Sequence, residues 1–189
     1  MSLQTFQESI VVQSVGGSSF GTYTTAKTVI PATSLVTLPA NYFTIGKTLR
    51  ITVQGGIGTL TVTPGLMNFQ VKIGSVAAFD TGNIQLNATA HTNKPFELQV
   101  IMTCRAVGSS TSANCMGIGR VIGTMFTVTA AQVDGVNSMT VLTAPSTAPA
   151  VGTGFDSTIA NTLDFFVGFT ISDAANTIKI ENYIVEALN

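Results

Sequence analysis

From Lys47 onward the chain alternates apolar and polar residues with a period of two, the spacing of strands that turn one side to a core and the other to solvent. Leu49, Ile51 and Val53 alternate with Thr48, Arg50, Thr52 and Gln54. Phe69, Val71 and Ile73 do the same, and Gly74-Ser75 then offers a tight turn into VAAFD. The run FELQVIMTCRA puts Phe96, Leu98, Val100, Met102 and Cys104 on one side, and only Ile101 interrupts the polar row Glu97, Gln99, Thr103, Arg105 on the other. Leu163, Phe165, Val167, Phe169 and Ile171 form the cleanest core face, and Ile178, Ile180 and Ile184 close the chain. About eight strands at this spacing predict an all-β chain built as an antiparallel β-sandwich, jelly-roll-like. Helical periodicity is absent, and only TAAQVD and STIAN leave room for a short helical turn.

Two places strain the alternation. Cys104 and Cys115 flank RAVGSSTSAN, so a hairpin turning near Ser109 and Ser110 sets them opposite each other. That pairing points the glycines of CMGIGRVIG inward and Met116 and Ile118 outward, a conflict that a bulge in this glycine-rich strand would relieve. The second place is the first 44 residues, where ESIVVQS and FGTYTTAKTVI suggest two strands around VGGSS. Such a β-rich arm can complete the edge of the sandwich or leave it to dock on a neighbour. Docking is the favoured expectation, because a bare edge of this composition invites uncontrolled pairing. The domain division is therefore residues 1–44 as an arm or attachment segment and 45–189 as the sandwich, with residues 142–156 a long proline- and glycine-punctuated loop.

Composition changes the picture in one respect. The 189 residues are 45% hydrophobic but only 9% charged, against about 25% charged in an average soluble domain. Threonine, serine, asparagine and glycine stand in for charge, so covering this exterior with protein costs little desolvation. The expectation is a surface meant to be buried in an assembly. The candidate interface residues are Phe6, Phe20 and Tyr23 of the arm and Phe166, a lone aromatic on the polar side of its strand. A net charge of −1, with basic residues spread singly, argues against direct nucleic-acid binding. No apolar run is long enough for a membrane span and the N-terminus lacks a signal-peptide pattern, so synthesis in the cytoplasm is expected, with the two cysteines starting as buried thiols and a disulfide between them the alternative in a particle that later leaves the cell.

The motifs that resemble catalytic or cofactor sites fail on context. NYFTIGKT ends like a phosphate-binding loop, but Asn41 occupies the first glycine's place and a strand pattern follows where a helix is needed. GSSFG matches a nucleophile elbow around Ser19, yet His91, the only histidine, lies in the loop-like NATAHTNKP. GIGRVIG misses dinucleotide spacing by one residue and reads as strand. Two cysteines and one histidine fall short of a structural zinc site. The expectation is a chain with no catalytic residues, no cofactor and no metal.

NYFTIGKTLRITVQGGIGT, FQVKIGSVAAFDTG, NKPFELQVIMTCRAVG, NTLDFFVGFTI and NTIKIENYIVE together make residues 42–187 resemble a class of β-rich structural proteins of tailed bacteriophages. The resemblance implies a virion protein on the particle exterior, most simply a capsid decoration or cement protein that self-associates, as a homotrimer, and clamps the major capsid protein. The alternative it implies is a head- or tail-fibre domain that binds host-surface glycans. It carries no catalytic residues.

Overall fold

The computed structural model describes residues 7–127 and 140–189. In chain order these form β1 (Glu8–Val12), β2 (Ser19–Gly21), β3 (Lys27–Thr28), a 3-10 turn at Ala32–Ser34, β4 (Val36–Leu38), β5 (Thr48–Thr59), β6 (Leu66–Ile73), β7 (Val76–Asp80), β8 (Ile84–Gln85), β9 (His91–Ala106), β10 (Asn114–Gly123), β11 (Thr140–Ala144), β12 (Asn161–Phe169) and β13 (Thr177–Ala187). The large sheet runs β1-β13-β5-β9-β10-β11, with β2 also on β13; the small sheet runs β3-β12-β6-β7, with β4 on β12 and β8 on β6. Pairing β5 with β13 and β6 with β12 wraps the start and end of the module into one folded ribbon, the jelly-roll element expected from sequence. Beyond it β9, β10 and β11 form an antiparallel meander.

The alternating residues meet between the sheets. Leu49, Ile51, Val53, Leu98 and Val100 of the large sheet face Met67, Phe69, Val71, Leu163 and Phe165 of the small one, all fully buried. Phe69 stacks on Phe165 at 5.9 Å and on Phe96 of the opposite sheet at 5.5 Å. Such rings each contribute roughly 2 to 3 kcal/mol by burial, and they fix the register, because a one-residue slip would turn the whole row outward.

The described part of the arm lies on the sandwich itself. β1 and β2 add to β13, and β3 and β4 add to β12, so residues 8–38 complete the same side of both sheets. This is the edge-completing alternative, in place of the favoured docking on a neighbour. Its physical reason is that β12 and β13 would otherwise be bare edges. Close approach requires Gly17, whose N–H donates to Ile180 O at 2.8 Å and where a Cβ would fall 2.4 Å from that oxygen.

Two parities differ from the sequence reading. In β13 the register slips between Ile180 and Asn182, so Tyr183 and Val185 point inward and Ile184 outward. At β10 the bulge falls outside the glycine run and on the partner strand, where Arg105 of β9 is the extra residue between the Asn114–Ala106 and Cys115–Cys104 pairs, and Cys115 pairs with Cys104 as expected. Gly117 therefore does face the core, and Ile118 faces out. The room left by the missing side chain is taken by Phe79 of the other sheet, 2.4 Å from where a Gly117 Cβ would stand. STIAN forms bends rather than a helical turn; TAAQVD lies outside the described residues.

Candidate interaction surfaces

The outer face of the large sheet divides into two halves. From β13 across β5 to the end of β9 its polar groups satisfy one another: Arg50 Nε donates to Glu186 at 2.6 Å, and Thr48 Oγ lies 3.1 Å from Thr103 Oγ. The Arg50 hydrogen bond holds the Glu186 carboxyl below the usual carboxylate range. Across β9, β10 and β11 the face changes character. Register sets Ile101 beside Ile118 and Ile122 beside Val141, and Met116 bridges to Val151. Ile101, Ile118, Val141 and Val151 are 38%, 50%, 59% and 49% exposed. Arg120 stands between Ile118 and Ile122, opposite Gln99, and makes no ion pair among the described residues. Single exposed aliphatics are ordinary, but a contiguous row of them is what an interface core offers.

A groove of about 620 Å³ opens at the end of this sheet, lined by Gln54, Gly56, Pro95, Glu97, Ile122 and Glu181 among others. Asn182 Nδ2 donates to Gln54 Oε1 at 3.2 Å, and Gln54 Nε2 donates to Glu97 at 2.8 Å, a hydrogen-bonded row across three strands. Glu181 is the extra residue of the β13 bulge, which swings it to the groove wall beside Lys179. Asn93, at a left-handed φ of 48°, lays its side chain over Gly56, where a Cβ would fall 1.9 Å from Asn93 Oδ1. None of this was legible from periodicity, since it depends on a bulge and on side chains brought together by pairing.

The outer face of the small sheet has its polar groups matched internally. Asp80 accepts from Gln70 Nε2 at 2.6 Å and Gly82 N–H at 2.8 Å, with Asn68 Nδ2 at 3.3 Å. Asp164 accepts from Thr28 Oγ at 2.7 Å and Phe165 N–H at 2.6 Å. Phe166 lies on this face as expected, half-buried, with Lys72 Nζ 3.9 Å from its ring centroid. Phe20 and Tyr23 come together elsewhere: Lys27 Nζ sits 4.7 Å from the Phe20 ring and 4.3 Å from the Tyr23 ring. Tyr23 also packs edge-on against Phe169 at 5.4 Å. This cluster joins β2 of one sheet to β3 of the other and seals the side of the sandwich. Phe6 lies outside the described residues.

Of residues 142–156, expected as one loop, 142–144 are the end of β11, paired with β10, and the rest lies against β10 and the turn before it. Gly152 N–H donates to Cys115 O, Phe155 pairs with Ala113, and Asp156 accepts from Ser110 N–H at 2.8 Å. Of the decoy motifs, Gly46-Lys47 turns directly into β5, Ser19 begins the short β2, and GIGRVIG is β10. His91, expected as a solvated loop residue, instead opens β9 half-buried, with Nδ1 2.8 Å from Thr59 Oγ. Among the described residues no three His, Cys, Asp or Glu side chains gather as a metal site, and no helix is long and apolar enough to cross a membrane.

No family model matches the chain, and no curated protein matches it. Among solved structures the chain is similar to the CBM2 module of the evolved Dit of Lactobacillus casei BL23 phage J-1, at 12% identity and a TM-score of 0.29 over 80% of this chain and 67% of that one. An overlap that loose carries no argument about topology or function.

Proposed function

We propose that this chain is a structural protein of a tailed-bacteriophage particle, a capsid decoration or cement subunit on the exterior that self-associates, as a homotrimer, and grips the major capsid protein. The observation that carries the reading is the row Ile101, Ile118, Ile122 and Val141 on one sheet face, with Arg120 in its midst making no ion pair among the described residues. A subunit that binds the assembled lattice and not its separated parts stabilises that lattice by its binding free energy, with no chemical step. The low-charge exterior and the resemblance of residues 42–187 to phage structural proteins support the same reading.

The test uses particles assembled without this protein. Purified chain should co-sediment with them and raise the temperature at which they release DNA, and Ile118→Lys should weaken both effects while the chain stays folded. Folded wild-type protein that adds to no particle sinks the reading. The hydrogen-bonded row Asn182–Gln54–Glu97 beside the groove favours a second reading, a fibre domain that holds host glycans through their hydroxyls. In that case Gln54→Ala should lose capture on immobilised host-surface glycans and Ile118→Lys should keep it.

A further inference from the structure

Cys104 and Cys115 sit directly across β9 and β10 on the inner side, both buried and both free. Their backbone groups point away from one another. Cys104 N–H donates to Lys47 O at 2.8 Å and Cys104 O accepts from Gly46 N–H at 2.9 Å, on the β5 side; Cys115 O accepts from Gly152 N–H at 2.8 Å, on the loop side. In an antiparallel ladder this is a non-hydrogen-bonded pair, the kind whose Cα atoms approach to about 4.5 Å with side chains side by side. A disulfide spans Cα separations of about 4.4 to 6.8 Å. Among the described residues the two thiols meet each other, and Cys104 Sγ also donates to Ala106 O at 3.3 Å.

We propose that this pair is an oxidative cross-linking site: Cys104 and Cys115 close an intrachain cross-strand disulfide when the folded protein meets a small-molecule disulfide such as oxidised glutathione. The proposal goes beyond the virion reading and does not depend on it. The Cys104 thiolate attacks the small disulfide and expels one thiolate, leaving a mixed disulfide on Cys104. Cys115 loses its proton to solvent, attacks the Cys104 sulfur and expels the second thiolate. Two protein thiols are oxidised and one disulfide is reduced to two thiols. Cys104 goes first because burial pushes the Cys115 thiol up to about 12, and its own rise is smaller. Access requires opening of the turn between β9 and β10, which Asp156 pins through Ser110, so closure is slow and its product persists.

The experiment exposes folded native chain to oxidised glutathione and reads intact mass, thiols titratable in denaturant, and tryptic fragments. Cleavage after Arg105 separates the two cysteines. The expected product is lighter by two hydrogens, has no titratable thiol, and yields fragments that stay joined until dithiothreitol is added. Its unfolding midpoint should rise relative to the reduced chain. Two thiols still titratable, a stable glutathione adduct on the wild-type chain, or disulfide-linked dimers would each overturn the proposal. Cys115→Ala should stop at one glutathione adduct on Cys104. Should that variant fail to fold, the wild-type fragment linkage decides alone.

Discussion

The outer faces of the two sheets are built from the same strand pattern yet differ in how their side chains are satisfied. On the small sheet Asp80, Asp164 and Lys72 all find partners within the chain: amides, a hydroxyl, and the Phe166 ring. On the β9–β10–β11 half of the large sheet Ile101, Ile118 and Val141 are open and Arg120 meets no carboxylate among the described residues. A face that has closed its own hydrogen bonds gains little from a partner, because every contact first displaces an existing one. An open aliphatic row loses only water on contact. On the proposed reading, the difference separates stability from assembly and gives them to different faces of one sandwich.

Neighbouring residues of β10 give the sharpest way to break that separation. Gly117→Val forces carbon into Phe79, so the fold itself should lose about 3 kcal/mol, the upper end of overpacking costs. Urea unfolding measures it, and a wild-type midpoint would show that the sheets part there at no cost. One residue on, Ile118→Lys should leave the urea midpoint within about 0.5 kcal/mol of wild type. The same change should weaken addition to particles at least roughly tenfold, the equivalent of 1.4 kcal/mol. If both variants lose stability and neither is selective for assembly, the two sides of β10 do not divide the work.

Much of the framework was legible and its irregularities were not. The alternation in β9 and β12 named the buried rows from Phe96 to Cys104 and from Leu163 to Phe169, but Ile171, expected in the second row, falls past the end of β12 and is only half-buried. It failed at Ile184, because a bulge at Glu181 reverses parity with no local sequence signal. It also misjudged β10, where inward glycines look like an error until Phe79 from the other sheet is seen filling the space. The arm was misjudged for a related reason: whether an edge is bare depends on which strands end up outermost, and that is fixed by pairings far apart in sequence. Because residues 8–38 supply strands to both sheets, deleting residues 1–44 should destabilise the fold itself. The groove row Asn182–Gln54–Glu97 could have been suspected only from three amide or carboxylate residues on three strands, which is too common a pattern to single out.

On the closed face, Asp80→Ala removes the acceptor for the Gln70 side chain and the Gly82 N–H. It should cost about 1 to 2 kcal/mol in urea unfolding and leave particle addition at the wild-type level. A loss of addition larger than the loss of stability would mean that this face also meets a partner.

The smallest effect probes the same face through pH. Desolvation by burial raises the Asp164 pKa, and it outweighs the Thr28 hydroxyl, the Phe165 N–H and the Lys72 charge that all lower it. The folded chain therefore holds this proton over a range in which the unfolded chain has released it. Asp164 then contributes stability that is complete below the unfolded aspartate value and is lost as pH rises through the folded one. Asp164→Asn keeps an acceptor for Thr28 and carries no titrating proton. The stability of wild type relative to this variant should accordingly increase on acidification, by less than about 1 kcal/mol given the solvent that still reaches the group. Glu186 and Asp156, whose carboxyls are held low by hydrogen bonds, lose stability in the opposite sense as pH falls, but they are common to both proteins and cancel in the difference. A difference that grows as pH rises would mean that Asp164 is stabilised as a carboxylate, with Lys72 and Thr28 outweighing burial, and that the closed face is held together by charge as well as by hydrogen bonds.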